Sequence, residues 1–272
     1  MNITEVKLVK LGPVEHKINK LIKKQGAIHL TLIDPDKMSV EDAINTAEIA
    51  EKIGSSAILV GGSIGVTSHE ADKIVKSLKK VIKLPVIIFP GSISNLTPYA
   101  DAVLYISLLN SHNTYFIIGA QVSAAPIIWK YKLEAIPTAY LIMGEGGAAG
   151  FMGDAKPIPY TRPQITAAYA LAAQMMGMRY VYLEGGSGAS TPVPQSVISY
   201  VKKFTNIKII VGGGIRNKDS AKDIVAAGAD IIVTGTITEG IDSTELENRL
   251  KDIINGVKEG VKLRSIKTCT NF

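Results

Sequence analysis

The segments Tyr182-Leu-Glu-Gly-Gly-Ser-Gly188, Val211-Gly-Gly-Gly-Ile215 and Val233-Thr-Gly-Thr236 each place glycine at or near the end of a run of β-forming residues. The runs are Tyr180–Leu183, Ile207–Val211 and Asp230–Val233. Glycine at a strand's C-terminal end lets backbone N–H groups converge on an anion, because no Cβ blocks the approach. In an eight-stranded parallel barrel the loops after strands 7 and 8 form the usual phosphate cradle. One such loop reads equally well as a tight βα turn. Three in succession point to a phosphorylated small molecule held at one end of the domain.

Five more apolar runs precede these: Ala27–Ile33, Ala57–Val60, Val86–Phe89, Ala102–Ser107 and Thr138–Met143. Eight near-continuous runs of this length describe strands buried on both faces, as in a parallel sheet. Helical patterns lie between them. Ser39 with Asp42, and Thr244 with Glu247, have the spacing of helix-start caps. The Ala- and Met-rich segment Gln164–Met178 reads as a buried helix whose methionines fill the core. Between strands 3 and 4, Gly91–Asp101 is too short and turn-rich for a barrel helix, which leaves one side of the rim open. A leading helix, Pro13–Lys24, covers the bottom or edge. The expectation is a single-domain α/β chain over residues 1–272, a (β/α)₈ TIM barrel with a short third helix and an extra N-terminal helix.

Composition bounds the partners. With 46% hydrophobic residues the chain can bury a sizeable core. Its one cysteine, Cys269, cannot form an intramolecular disulfide, and a cytoplasmic home is the simplest. The net charge of +6 is dispersed over lysine-bearing helix faces rather than gathered with aromatics, so nucleic acid is not an expected partner. From Ala102 to Trp129 there is no Asp, Glu, Lys or Arg. Asn110 to Thr114 and Pro126 interrupt that tract, so it reads as a strand, loop and helix lining an apolar cavity, not as a membrane span.

Ionisable groups are scarce at the expected strand ends: Asp34, Asp36, Lys37, Glu145 and Glu184 are nearly all of them. Ring opening and carbonyl isomerisation need a matched acid and base. Displacement of diphosphate needs less proton transfer, because Mg²⁺ neutralises the departing charge. Asp34 is the natural Mg²⁺ ligand, since that ion takes one or two carboxylates plus phosphate oxygens and water. Its ordinary alternative is a helix cap, a role that suits Asp36 better. Ser63 has a hydroxyl to offer the same metal, or is simply a turn serine. Glu184, between a strand and a cradle, is placed to accept a substrate hydroxyl's proton, with a rim salt bridge as the alternative. Tyr182 offers a further contact or packs. His29 reads as a satisfied core residue, and nothing ties His112 to chemistry.

Six motifs together resemble the geranylgeranylglyceryl phosphate synthase family of archaeal ether-lipid biosynthesis. They are Thr31-Leu-Ile-Asp-Pro-Asp-Lys37, Val60-Gly-Gly-Ser63, Ile88-Phe-Pro-Gly91, Leu108-Leu-Asn110, Tyr182-Leu-Glu-Gly-Gly-Ser-Gly-Ala189 and Val211-Gly-Gly-Gly-Ile-Arg216. The resemblance covers essentially the whole chain, in order. It implies a modified TIM barrel with a displaced third helix. The implied reaction transfers a C20 prenyl group from geranylgeranyl diphosphate to the 3-hydroxyl of sn-glycerol 1-phosphate. By motif, Asp34 and Ser63 would bind Mg²⁺, with Glu184 and Tyr182 at the reacting hydroxyl. Tyr182, Leu183, Glu184, Gly185, Gly186, Ser187, Gly188, Gly213, Gly214, Gly235 and Thr236 would hold glycerol phosphate. Family members also imply a homo-oligomer, and the lipid substrates imply contact with the membrane surface. Alternatives are a C35 heptaprenyl donor, another phosphate-binding barrel enzyme of amino-acid biosynthesis, or a barrel that only senses its ligand.

Overall fold

Alternation along the apolar runs sorts their residues into two layers. Ile28, Leu30, Leu59, Tyr140, Tyr182 and Val233 belong to a core inside the sheet. Ile33, Ile58, Leu141, Leu183 and Val211 belong to a core between sheet and helices. A parallel sheet with both faces buried follows, and in the computed structural model it closes on itself. The described residues are 11–62 and 67–269, with side chains to 266.

The strands are β1 (Ile28–Ile33), β2 (Ala57–Val60), β3 (Val86–Ile88), β4 (Ala102–Leu108), β5 (Glu134–Ile142), β6 (Tyr180–Glu184), β7 (Lys208–Gly212) and β8 (Ile231–Thr234). They form a closed parallel barrel in sequence order. Closure pairs Ile28 with Ile231 and Thr31 with Thr234. The helices are α1 (Pro13–Gln25), α2 (Val40–Ile53), α3 (Ser68–Val81), α4 (Ala120–Tyr131), α5 (Gly147–Met152), α6 (Pro163–Met175), α7 (Gln195–Phe204), α8 (Lys218–Ala227) and α9 (Ser243–Cys269). Between β3 and β4 stands only the single 3₁₀ turn Ile93–Asn95, as the turn-rich sequence there led us to expect.

Three local expectations are corrected. The α9 cap is Asp242, whose Oδ1 accepts from Thr244 N at 2.8 Å and Glu245 N at 2.9 Å. Thr244 is thus inside the helix, and Glu247 pairs with Lys52 instead. Of the methionines read as core filler, Met178 packs against the core, but Met175 is 77% and Met176 67% exposed. No helix begins at Pro35, so neither Asp34 nor Asp36 is a helix cap. Ser39 caps α2 by accepting from Asp42 N.

Helix α1 plugs the N-terminal end of the barrel. Its residues Val14, Ile18 and Ile22 join the core inside the sheet. The Glu134 carboxylate accepts from Val14 N and Glu15 N at 2.7 Å each, satisfying donors that a helix start leaves orphaned. Buried Glu15 accepts from both Nε and Nη2 of Arg179, at 2.6 and 2.7 Å. With that end sealed, the opposite rim is left as the entrance.

His29 is a buried core residue, as expected. Its Nδ1 lies 2.7 Å from Ser55 Oγ and its Nε2 2.8 Å from Thr234 Oγ1. Burial lowers its pKa from 6.5 to about 3. Below pH 6.5 the unfolded chain takes up a proton that the folded chain refuses until about pH 3, so this site's stability is complete above pH 6.5 and is lost as pH falls through that window. We expect urea midpoints to fall over that window more steeply in the wild type than in His29→Gln. Parallel profiles would remove His29 as a source of acid lability.

Candidate active site

At the C-terminal end of the strands the inward positions and the glycine loops bound one continuous cleft of about 1150 Å³. Its two ends differ. The loops after β6, β7 and β8 line one end, through Ser187, Gly188, Gly213, Gly214, Gly235 and Thr236. The amides of Ser187, Gly213, Gly214 and Gly235 donate to no acceptor among the described residues. Backbone donors left open beside a cleft are a ready anion site. At the other end Val103 and Tyr105 on the outer face of β4 line the cleft with Leu96 and with Ala124 and Ile128 of α4, while Leu104, Ile106 and Leu108 line it from inside the barrel. The uncharged tract therefore does line an apolar channel, and no helix among the described residues is long and apolar enough to cross a membrane.

Between the ends sits Glu184, the last residue of β6, 7% exposed. Its Oε1 accepts from Gly186 N at 2.7 Å, and its Oε2 from Tyr140 Oη at 3.1 Å. Burial raises its pKa, opposed by those two hydrogen bonds. It makes no rim salt bridge among the described residues. Beneath it the rings of Phe89, Tyr140 and Tyr182 pack together. Phe89 stacks on Tyr182 at 5.1 Å, and Tyr140 meets both edge-on at 5.6 and 5.3 Å. Burial and the nearby Glu184 charge push the Tyr182 and Tyr140 hydroxyls well above the ordinary tyrosine range, so both stay protonated.

Asp34 lines the cleft from just beyond β1. Its Oδ1 accepts from Asp36 N at 3.2 Å, and Lys37 Nζ stands 3.8 Å from Oδ2 while pairing with Glu239 at 3.0 Å. Burial raises the Asp34 pKa, offset by the Asp36 amide and Lys37. Among the described residues no three His, Cys, Asp or Glu gather into a metal cage. A lone cleft carboxylate suits Mg²⁺, which takes its remaining ligands from phosphate oxygens and water. Ser63 lies outside the described residues.

Of the expected glycerol-phosphate residues, Leu183 brings no side chain to the cleft. It is fully buried in the layer between sheet and helices, so its side chain faces away from the cleft. Gly185 N is spent on Gly212 O at 2.9 Å, and Gly186 N on Glu184, so these two shape the loop without lining the cleft. His112 N donates to Asp154 O at 2.8 Å and has no part in the site.

Two contributors had no role assigned from the sequence. Arg216 donates from Nη2 to Gly188 O at 2.9 Å and Ala189 O at 3.1 Å, tying the β6 loop to the β7 loop. Tyr140 shares its register with Tyr182 across β5 and β6. The period-two pattern of Ile136, Tyr140 and Ile142 was the available signal.

The cradle can be tested at one glycine. A Cβ on Gly213, at φ +85°, would stand 2.6 Å from Gly186 N and 2.9 Å from Glu184 Oε1, disturbing carboxylate and cradle alike. Gly235 has φ −125°, and its Cβ would meet only the Leu32 side chain, at 3.3 Å. We therefore expect Gly235→Val to raise the KM for the phosphorylated acceptor about 10-fold or more, the worth of a hydrogen bond to a charged group, with little change for the other substrate. Equal changes in both KM values would misplace the phosphate.

Open amides, a buried carboxylate and an apolar channel at the mouth of a parallel barrel define a phosphate-binding barrel enzyme with room for a greasy second substrate. Residues 19–257 match the PcrB family, and the chain belongs to that family. It is 48% identical over 254 residues to the geranylgeranylglyceryl phosphate synthase of Thermofilum pendens, covering 93% of this chain and 98% of that one. The enzyme of that name from Pyrococcus furiosus is 49% identical over 250 residues, covering 92% and 99%. The (S)-3-O-geranylgeranylglyceryl phosphate synthase of Thermoplasma acidophilum, crystallised in complex with its substrate sn-glycerol-1-phosphate, matches with a TM-score of 0.85 at 40% identity. That match covers 89% of this chain and 98% of the other.

Proposed function

We propose that this chain is a geranylgeranylglyceryl phosphate synthase, joining the C20 group of geranylgeranyl diphosphate to the 3-hydroxyl of sn-glycerol 1-phosphate. The observation that carries the reading is the position of Glu184, a buried carboxylate between an amide cradle and an apolar channel. The cradle amides of Ser187, Gly213, Gly214 and Gly235 hold the phosphate, so the glycerol lies toward Glu184. The channel between β4 and α4 holds the prenyl tail, each buried CH₂-sized group contributing about 0.8 kcal/mol. O3 of the glycerol attacks C1 of the prenyl group, the C1–O bond to diphosphate breaks, and its electron pair leaves with the diphosphate. The O3 proton passes to Glu184 Oε. The Tyr182 ring forms the floor beneath this exchange, and its protonated hydroxyl is a neutral neighbour to the reacting groups.

Asp34, with Ser63, would hold Mg²⁺, which supplies charge neutralisation for the departing diphosphate. Lys37 stands beside that carboxylate and adds a cation at the same lip. The reading extends to a cytoplasmic homo-oligomer that meets the membrane surface peripherally to collect its lipid donor. Exposed Ile118, Val122 and Trp129, along one side of α4 and the turn before it, support self-association.

The test is an assay with sn-glycerol 1-phosphate, Mg²⁺ and radiolabelled C15, C20 and C35 prenyl diphosphates. We expect a butanol-extractable C20 ether as the main product. Preference for the C35 donor would make the chain a heptaprenylglyceryl phosphate synthase, and no lipid product with any donor would overturn the reading.

A further inference from the structure

We propose that Tyr140 is a positioning residue for the reaction: its hydroxyl holds the Glu184 carboxylate ionised and aimed at the acceptor. This rests on the reading of Glu184 as the base. Three observations carry it. Tyr140 Oη donates to Glu184 Oε2 at 3.1 Å, while Gly186 N holds Oε1, so each carboxylate oxygen has one fixed donor. With both oxygens anchored the carboxylate cannot swing, and each still has a lone pair to offer a substrate hydroxyl. Tyr140 is itself held, 7% exposed and edge-on to both Phe89 and Tyr182, so its hydroxyl has little freedom to leave.

The second consequence is electrostatic. A buried carboxylate is pushed toward its neutral form, and a neutral Glu184 cannot take a proton. The groups facing it are neutral: Tyr140 on β5, Tyr182 on β6, and Tyr160 before α6, whose hydroxyl is raised by burial and by the charges of Glu184 and Glu145. With no cation among these groups, donated hydrogen bonds are what keep the charge. Removing the Gly186 amide would take a proline, which its φ of +103° forbids, but the Tyr140 hydroxyl can be deleted cleanly.

The experiment is the pH profile of kcat for Tyr140→Phe, beside wild type and Glu184→Gln. Phenylalanine keeps the ring packing and deletes only the donor. We expect the acid limb to move up by about one pH unit, a tenfold change in ionisation, with the KM for prenyl diphosphate unchanged. Replacing Tyr140 with 3,5-difluorotyrosine, a stronger donor that keeps the hydroxyl, should move the limb down, and this variant serves if Tyr140→Phe fails to fold. If Glu184→Gln is slow yet neither change at Tyr140 moves the limb, the positioning role is overturned. If Glu184→Gln turns over like wild type, the base assignment beneath it falls instead.

Discussion

Glu184→Gln is expected to lower kcat by about 10²–10⁴-fold while the KM for prenyl diphosphate stays near wild type. Glutamine keeps the length and one acceptor oxygen, so Gly186 N keeps its partner. It cannot take a proton, and a catalyst that has lost its general base has lost only the step that needs one. The raised Glu184 pKa gives the profile a direction: wild-type kcat should climb through an acid limb above the ordinary glutamate range, because only the ionised form is a base. Glu184→Gln should flatten that limb. If diphosphate departs before O3 attacks, the allylic cation is electrophilic enough that the loss falls at the low end. Wild-type kcat at saturating substrates would leave Glu184 as a binding residue.

Asp34→Asn is expected to cost about 10²-fold or more in kcat/KM, the worth of roughly 3 kcal/mol of charge stabilisation on a leaving group. The variant should fold normally. Asp34 is at the cleft wall and Asn can still accept from Asp36 N, so the turn at Pro35 to Lys37 keeps its hydrogen bond. Losing the carboxylate also leaves Lys37 with Glu239 alone, drawing it away from the lip. The Mg²⁺ concentration for half-maximal rate should rise, and the KM for sn-glycerol 1-phosphate should change little. An unchanged Mg²⁺ requirement with unchanged rate would remove Asp34 from the metal.

The barrel was legible because its strands are buried on both faces, so they stand out as apolar blocks between polar helices. The strand that misled was β5. Its apolar run reads from Thr138, yet β5 begins at Glu134 and runs through Pro137, whose O accepts from Arg179 N at 3.2 Å. A parallel strand tolerates a missing N–H where its carbonyl side still pairs. Caps were less legible than strands: Ser39 was found, but Asp242 was passed over for Thr244 because cap residues two positions apart look alike in sequence. In the site, the glycine motifs located the loops whose open amides line the cleft, since close backbone approach leaves only glycine. Leu183 was included by its motif although the strand's period of two sets it opposite Tyr182 and Glu184. Tyr140 was missed for the converse reason: the period of two turns its side chain into the barrel, but only the pairing of β5 with β6 brings it to Glu184.

The plug at the bottom of the barrel has a consequence for how the chain is made. Helix α1 leaves the ribosome before the strands it plugs, and its anchors are Glu134, 119 and 120 residues later, and Arg179, 164 residues beyond Glu15. Until β5 and β6 exist, its apolar side has no interior to enter and the Glu15 carboxylate no guanidinium to meet. Closing contacts over such separations is slow, because the entropy of the intervening loop must be surrendered before any contact forms. Helix α1, made before the barrel, is therefore among the last of its elements to dock, and the half-made barrel carries an open, apolar lower end that a nascent chain must keep from its neighbours.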